Sequence, residues 1–291
     1  MASERVELIR ALAVLVEEPS REQETMAGVL GLRPSPDRIE YTNIFVLQIY
    51  PFASVHLGEE GMMGGEARDR VAGFWKAVGR TPPVESDHAA SLLGLYAGLR
   101  ADQMEESDPA RALLLEQAAD ALLWEHLLSW MPAFLAKVRE IGGDFYRTWA
   151  ELLMEVLADE AASIGRQAAL PLQLRSTTEV EEGSSIDECV SAILAPVRSG
   201  MILTRKDLER GARSSKVGLR VGERRFILKT MLEQDSGSTI GWLRSEAVRW
   251  ERIHACLAEQ FPVISGFWRG RAASTIRLLD ELSDVLKHKA S

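Results

Sequence analysis

Apolar residues recur at helical spacing wherever the pattern is clear. Val71, Phe74, Trp75 and Val78 fall at i, i+3, i+4 and i+7, and Leu92, Leu95, Tyr96 and Leu99 repeat that spacing. Ser107-Asp108-Pro109 supplies an N-cap with proline at the first helical position, predicting a helix that runs to about Trp130. Pro132 kinks that helix or starts another, and Gly142-Gly143 stops the next. Asp144 is expected to cap a further helix reaching about Gly165. No run of alternating apolar and polar residues is bounded by hairpin turns, so a sheet is not expected. The predicted fold is all-α, a helical bundle followed by a smaller helical module.

The texture changes between about Ala169 and Ser185, where Ser-Thr-Thr-Glu-Val-Glu-Glu-Gly-Ser-Ser has no apolar face. The expected organisation is a helical domain over 1–170, a linker over 171–185 and a C-terminal helical module over 186–291. In that module Ile186–Leu194 reads as a short helix before Pro196, and Thr204 caps Arg205–Ala212. Gly222 precedes a helix carrying Phe226, Ile227, Met231 and Leu232. Ile240, Leu243, Ala247 and Trp250 lie on a longer helix, and a last one spans about Ala272 to Lys287.

Composition adds limits. The chain has 291 residues, 46% hydrophobic and 26% charged, enough for a substantial core. Its two cysteines, Cys189 and Cys256, form no CxxC and no framework, which argues against a disulfide scaffold or structural zinc. The apolar runs are short of a membrane span, and the charged N-terminus does not read as a signal peptide, so a cytoplasmic location is expected. The net charge of −9 is unevenly divided: residues 1–174 carry 27 acidic and 15 basic side chains, residues 175–291 carry 16 and 19. An acidic first half disfavours nucleic acid as its partner and attracts basic peptides, although acidity also serves solubility alone.

No motif asks for catalysis. There is no GxSxG elbow, phosphate loop, HExxH or dinucleotide fingerprint, and the five histidines are isolated. Gly58-Glu-Glu-Gly-Met-Met-Gly-Gly65 carries two glutamates that would repel phosphate, and it reads as an interhelical loop. A non-enzyme is expected, with no cofactor, no metal site and no catalytic residue.

Three segments hold polar residues that a simple bundle does not need. They are Tyr41–Leu57 with Pro51 and Ser54, Pro82–His88 leading into a leucine-rich helix, and Trp124–Phe134 followed by Phe145-Tyr146. The proline-stiffened second segment delivers Glu85, Asp87 and His88 to a helix start. Asp87 either caps that helix or, with Glu85, accepts the guanidinium groups of an arginine-bearing peptide. His126 reads as a core or capping residue or as part of a site. Trp124 and Trp130 are either core or anchors of an apolar groove.

In this order and spacing the segments resemble the TorD/DmsD/NarJ family of molybdoenzyme chaperones over roughly residues 5–165. The matching features are Tyr41, Phe45, Pro51, Ser54 and Leu57, then Glu85, Asp87, His88 and Leu92. Glu125, His126, Leu127, Trp130, Pro132 and Phe134 follow, with Phe145-Tyr146 after them. The resemblance implies a helical chaperone that binds the twin-arginine signal peptide, or the apo form, of a molybdopterin-containing oxidoreductase until its cofactor is inserted. The candidate peptide-binding set is Trp75, Glu85, Asp87, His88, Trp124, His126 and Trp130. The chain departs from the family in its added second module, where Arg198–Arg205 and Gly222–Arg225 look like features of a longer subgroup. The alternative function is a DNA-binding regulator using Arg205, Lys206, Arg210, Arg213, Lys216, Arg220, Arg224 and Arg225, against which the interspersed acidic residues count.

Overall fold

In the computed structural model, which describes residues 2–165, 167, 169–178 and 185–290, the described residues form helices joined by loops and no strand. The chain divides into two compact units, Met1–Val55 with Met62–Arg175, and His56–Gly61 with Ser176–Ser291. Nothing in the sequence pattern announces that His56–Gly61 groups with the second unit.

The first unit contains α1 (Ala2–Val14), α2 (Arg21–Val29), α3 (Arg38–Tyr41), a π-helical turn π1 (Thr42–Val46) and α4 (Ala53–Leu57), whose end crosses into the other unit. It continues with α5 (Gly65–Ala77), α6 (Ala89–Glu105), α7 (Pro109–Ala121), a second π-helical turn π2 (Leu122–Leu128), α8 (Met131–Ile141), α9 (Asp144–Ser163) and α10 (Leu172–Ser176). α1 packs on α6 and α9, α6 on α7 and π2, and α8 on α9. The Trp149 indole fastens α9 to α1 by donating to the Leu12 carbonyl at 3.0 Å. The expected cap at Asp108 is present, its carboxylate accepting from the Ala110 amide, and Pro109 opens α7.

Two local expectations are corrected. The helix from Pro109 does not run unbroken to Trp130, because π2 intervenes and α8 starts at Met131. Asp144 is the first residue of α9 rather than its cap. Gly143 holds the cap position, and the Glu40 side chain accepts from its amide at 2.7 Å. The stretch expected to be linker contains α10, while residues 179–184 of that stretch lie outside the described residues.

The second unit contains α11 (Ile186–Leu194), α12 (Pro196–Ser199), α13 (Arg205–Ser214), α14 (Arg224–Gln234), α15 (Ser236–Leu257) and α16 (Pro262–Ala290), which starts ten residues before the expected Ala272. α15 and α16 pack along each other, and α12 rests on α16. Arg198–Arg205 acquires a structural role here. Ser199, Met201, Leu203 and Thr204 are fully buried, and Gly200 turns the chain at φ +72°. A Cβ on Gly200 would lie 2.4 Å from the Ala272 amide nitrogen, so glycine is required by both conformation and close approach. Its carbonyl is 2.8 Å from His254 Nε2. Thr204 and Asp207 form the capping box that opens α13.

Candidate functional site

The first two sequence segments meet in the first unit. Ala89 donates its amide to the Pro51 carbonyl at 2.8 Å and Ala53 donates to the Asp87 carbonyl at 3.0 Å, so Phe52 and His88 form one isolated antiparallel bridge. Their rings meet edge to face at 4.8 Å. The Asp87 carboxylate accepts from the Ser54 amide at 3.0 Å, which makes it the acceptor for the first turn of α4, 33 residues away, and not the cap of its own helix. That cap is His88, whose Nδ1 accepts from the Ala90 amide at 3.1 Å. Accepting there requires the neutral ring, and burial pushes the His88 pKa down to about 4 despite the neighbouring Asp87 charge. Asp87 and His88 are both buried, whereas Glu85 is exposed beside Val84.

The third segment is built around π2. Helices widened to i→i+5 bonding are uncommon and concentrate at functional sites. π1 falls inside the first of the sequence segments singled out for their polar residues, and π2 overlaps the third. In π1 the bonding is explicit, with Leu47 donating to Thr42 at 3.0 Å and Ile49 to Ile44 at 2.8 Å. π1 buries Phe45 against Phe134, Tyr146 and Trp149 at centroid distances of 6.1, 5.0 and 6.1 Å. Trp130 joins that cluster through Phe134 at 5.2 Å and is fully buried, its indole donating to the His126 carbonyl at 2.8 Å. Trp130 is therefore a core residue in this unit.

Trp124, Glu125 and His126 lie side by side on π2. His126 is buried, packs edge to face on Phe74 of α5 at 5.3 Å, and has its pKa lowered to about 4 by burial and by the Arg70 charge. Its Nδ1 and the Trp75 Nε1, also buried, have no hydrogen-bond partner among the described residues. Trp124 and Glu125 are half-buried and contact the segment before α10. Glu125 belongs to the motif but not to the expected peptide-binding set, and its isolated position in the sequence gave no sign of this contact.

Charge gathers near the first segment. Burial and the charges of Glu18, Glu17 and Glu85 raise the Tyr41 phenol, and burial and Glu85 raise the Glu17 carboxyl. Exposed apolar side chains occur on α3 (Ile39), at the end of π1 (Val46) and just beyond it (Leu47 and Tyr50). A separate cavity of about 610 Å³ lies among α1, α6, α7 and α9, where Arg5 pairs with Glu160 and Arg100 with Asp120. Three members of the basic stretch of the second unit are engaged as well. Arg205 donates to the Gly222 carbonyl, Arg210 pairs with Asp207 and Glu246, and Arg224 binds Glu60 and the Leu203 carbonyl. No helix of the described residues is long and apolar enough to cross a membrane, and no group of three or more metal-ligating side chains is found among them.

The comparisons with known proteins bear on this all-α unit and its three segments. Residues 37–136 match the sequence model of the family described as nitrate reductase delta subunit, of the TorD/NarJ chaperone type. That family is one of chaperones and not of enzymes. The chain is 28% identical over 111 residues to the chaperone protein TorD of Vibrio vulnificus strain YJ016 and, at the same identity, to that of strain CMCP6. The alignment covers 36% of this chain and 51% of each relative, so the chain spans about half the length of the curated relatives it matches. No solved structure matches it. The matched stretch contains π1, α4, the Phe52–His88 bridge and π2, and the resemblance to the TorD/DmsD/NarJ chaperones is supported there.

Proposed function

We propose that the protein is an assembly chaperone that binds the signal peptide, or the apo form, of a molybdopterin-containing oxidoreductase and holds it until cofactor insertion. The observation that carries this reading is the match over residues 37–136 to a chaperone family, within which the three unusual segments fall. The electrostatics support it. A twin-arginine leader presents guanidinium groups followed by an apolar stretch; Glu17 and Glu85, with the Arg38-paired Glu18, act together on Tyr41, and exposed Ile39, Val46 and Leu47 belong to the same unit. In this reading Glu85, Trp75 and Trp124 contact the peptide. Asp87, His88, His126 and Trp130 act by holding that face in shape. The cell compartment is the cytoplasm, where a client waits before export, and the C-terminal module of 186–291 is a separate domain after the linker.

The test is purification of the full chain from its native host, with co-purifying proteins read by mass spectrometry. A molybdoenzyme catalytic subunit in stoichiometric amount is expected. Recovery of DNA fragments, or of the chain alone under conditions where the apo enzyme accumulates, would contradict the reading.

A further inference from the structure

After α9 the chain returns to π2, and two adjacent side chains there hold it by its backbone. Trp124 Nε1 donates to the Ala169 carbonyl at 3.1 Å, and the Leu172 amide donates to Glu125 Oε2 at 2.7 Å. The stretch held, Ala169-Leu170-Pro171-Leu172, is uncharged and apolar. Pro171 is buried, whereas the Leu172 side chain is half exposed. Neither bond reads a side chain of the held stretch. One donor and one acceptor, aimed at the carbonyl and the amide of residues three apart, grip a polypeptide through groups that nearly every sequence supplies.

The setting also favours release. Both hydrogen bonds are at the surface, and the helix that follows has only five residues. We propose that residues 169–172 are an internal occupant of a peptide-reading face on π2, and that an extended apolar segment of a client polypeptide displaces them to take the same two hydrogen bonds. The identity of the incoming chain rests on the chaperone reading. The occupant itself shows what chemistry the face accepts: an apolar segment that offers a carbonyl and an amide three residues apart. An internal occupant lowers the apparent affinity for any client by the fraction of time the face is open, so weakening its hold tightens client binding.

Leu172→Pro isolates the effect. Position 172 is the first residue of α10, where proline is tolerated and only the N–H to Glu125 is lost. The Pro171 carbonyl accepts from the Leu174 and Arg175 amides, so Pro171 occupies a cap position, usually extended and compatible with a following proline. The probe is a synthetic leader peptide with consecutive arginines and an apolar stretch. It is titrated by calorimetry into the full wild-type chain and into L172P, with hydrogen exchange followed over 169–176. The expected result is roughly five- to tenfold tighter binding by L172P, the factor for losing one exposed bond to a carboxylate. Added peptide should also speed exchange over 169–176 in the wild type. Equal or weaker binding by L172P, with exchange over 169–176 unaffected by bound peptide, makes the segment a structural tether and overturns the proposal while the chaperone reading stands. Failure of both forms to bind the peptide overturns both.

Discussion

Replacing Asp87 separates a structural role from direct contact with a peptide. Its carboxylate is buried and accepts from the amide of Ser54, itself only 1% exposed, so Asp87→Ala leaves a buried N–H without its acceptor. A hydrogen bond to a carboxylate contributes about 1.5–3 kcal/mol, and an orphaned buried donor costs about 1–3 kcal/mol. These describe the same lost contact and are not summed, so a loss of about 2–3 kcal/mol is expected. Asp87→Asn keeps an oxygen of the same shape at the same place and should cost about 1 kcal/mol. His88→Asn retains a side chain suited to capping and should be milder than His88→Ala, which loses the bond to Ala90 and the packing on Phe52. Urea unfolding followed by circular dichroism and tryptophan fluorescence measures these differences. With a slope of about 1–3 kcal/mol per molar, Asp87→Ala should lower the midpoint by about 1 M or more. An Asp87→Ala curve superimposed on the wild type would refute the structural assignment. If that variant kept the wild-type unfolding curve and yet bound a leader peptide more weakly, Asp87 would be a direct peptide contact.

Four further outcomes follow from the same structure. His88, His126 and His254 all have pKa values near 4, lowered first by burial, so the fold holds them neutral. Their contribution is complete above pH 6.5 and is lost as pH falls from 6.5 towards 4, at roughly 2 kcal/mol per histidine by pH 5, partly offset by the raised carboxyls of Glu17, Glu40 and Glu60. Denaturant curves at pH 7.5 and 5.0 test this, and equal unfolding free energies at the two would refute it. Gly200→Ala should destabilise the second unit by at least about 2 kcal/mol, because the new Cβ meets the α16 backbone at 2.4 Å in a left-handed conformation. Gly211→Ala should act in the same direction, since its Cβ would lie 2.5 Å from the Trp242 ring. Gly73→Ala, in open space within α5, should instead add about 0.5–1 kcal/mol, and thermal melts of the three variants should rank accordingly.

The helical class was legible because its signals are local. Asp108 with Pro109, and Thr204 with Asp207, state their helix starts within four residues, and the structure uses both. The π turns were not legible. Five of the seven residues in π2 are buried, so the segment reads as continued apolar helix with no face to betray the widened turn. The role of Asp87 was hidden for a different reason: its acceptor function serves an amide 33 residues earlier, whereas capping rules look a few residues ahead. α10 is too short to show a period. The family motif was visible as a pattern, but the pattern mixes two kinds of residue. Tyr41, Phe45, Trp130, Phe134 and Tyr146 form aromatic packing around π1 and α8, while Glu85, Trp124 and Glu125 remain at or near the surface. Side-chain chemistry alone does not distinguish a tryptophan in the core from one on a groove.

The most direct measurement is calorimetric titration of the full chain with the leader peptide of a molybdoenzyme from the native host, beside the same peptide with both arginines replaced by glutamine. Saturable one-to-one binding is expected for the first, weakened roughly tenfold or more for the second and weakened by added salt, since carboxylates such as Glu85 are to receive the guanidinium groups. Equal affinity for both peptides would contradict the proposed recognition of arginine. Absence of binding to the leader and to the apo catalytic subunit alike would contradict the chaperone account itself.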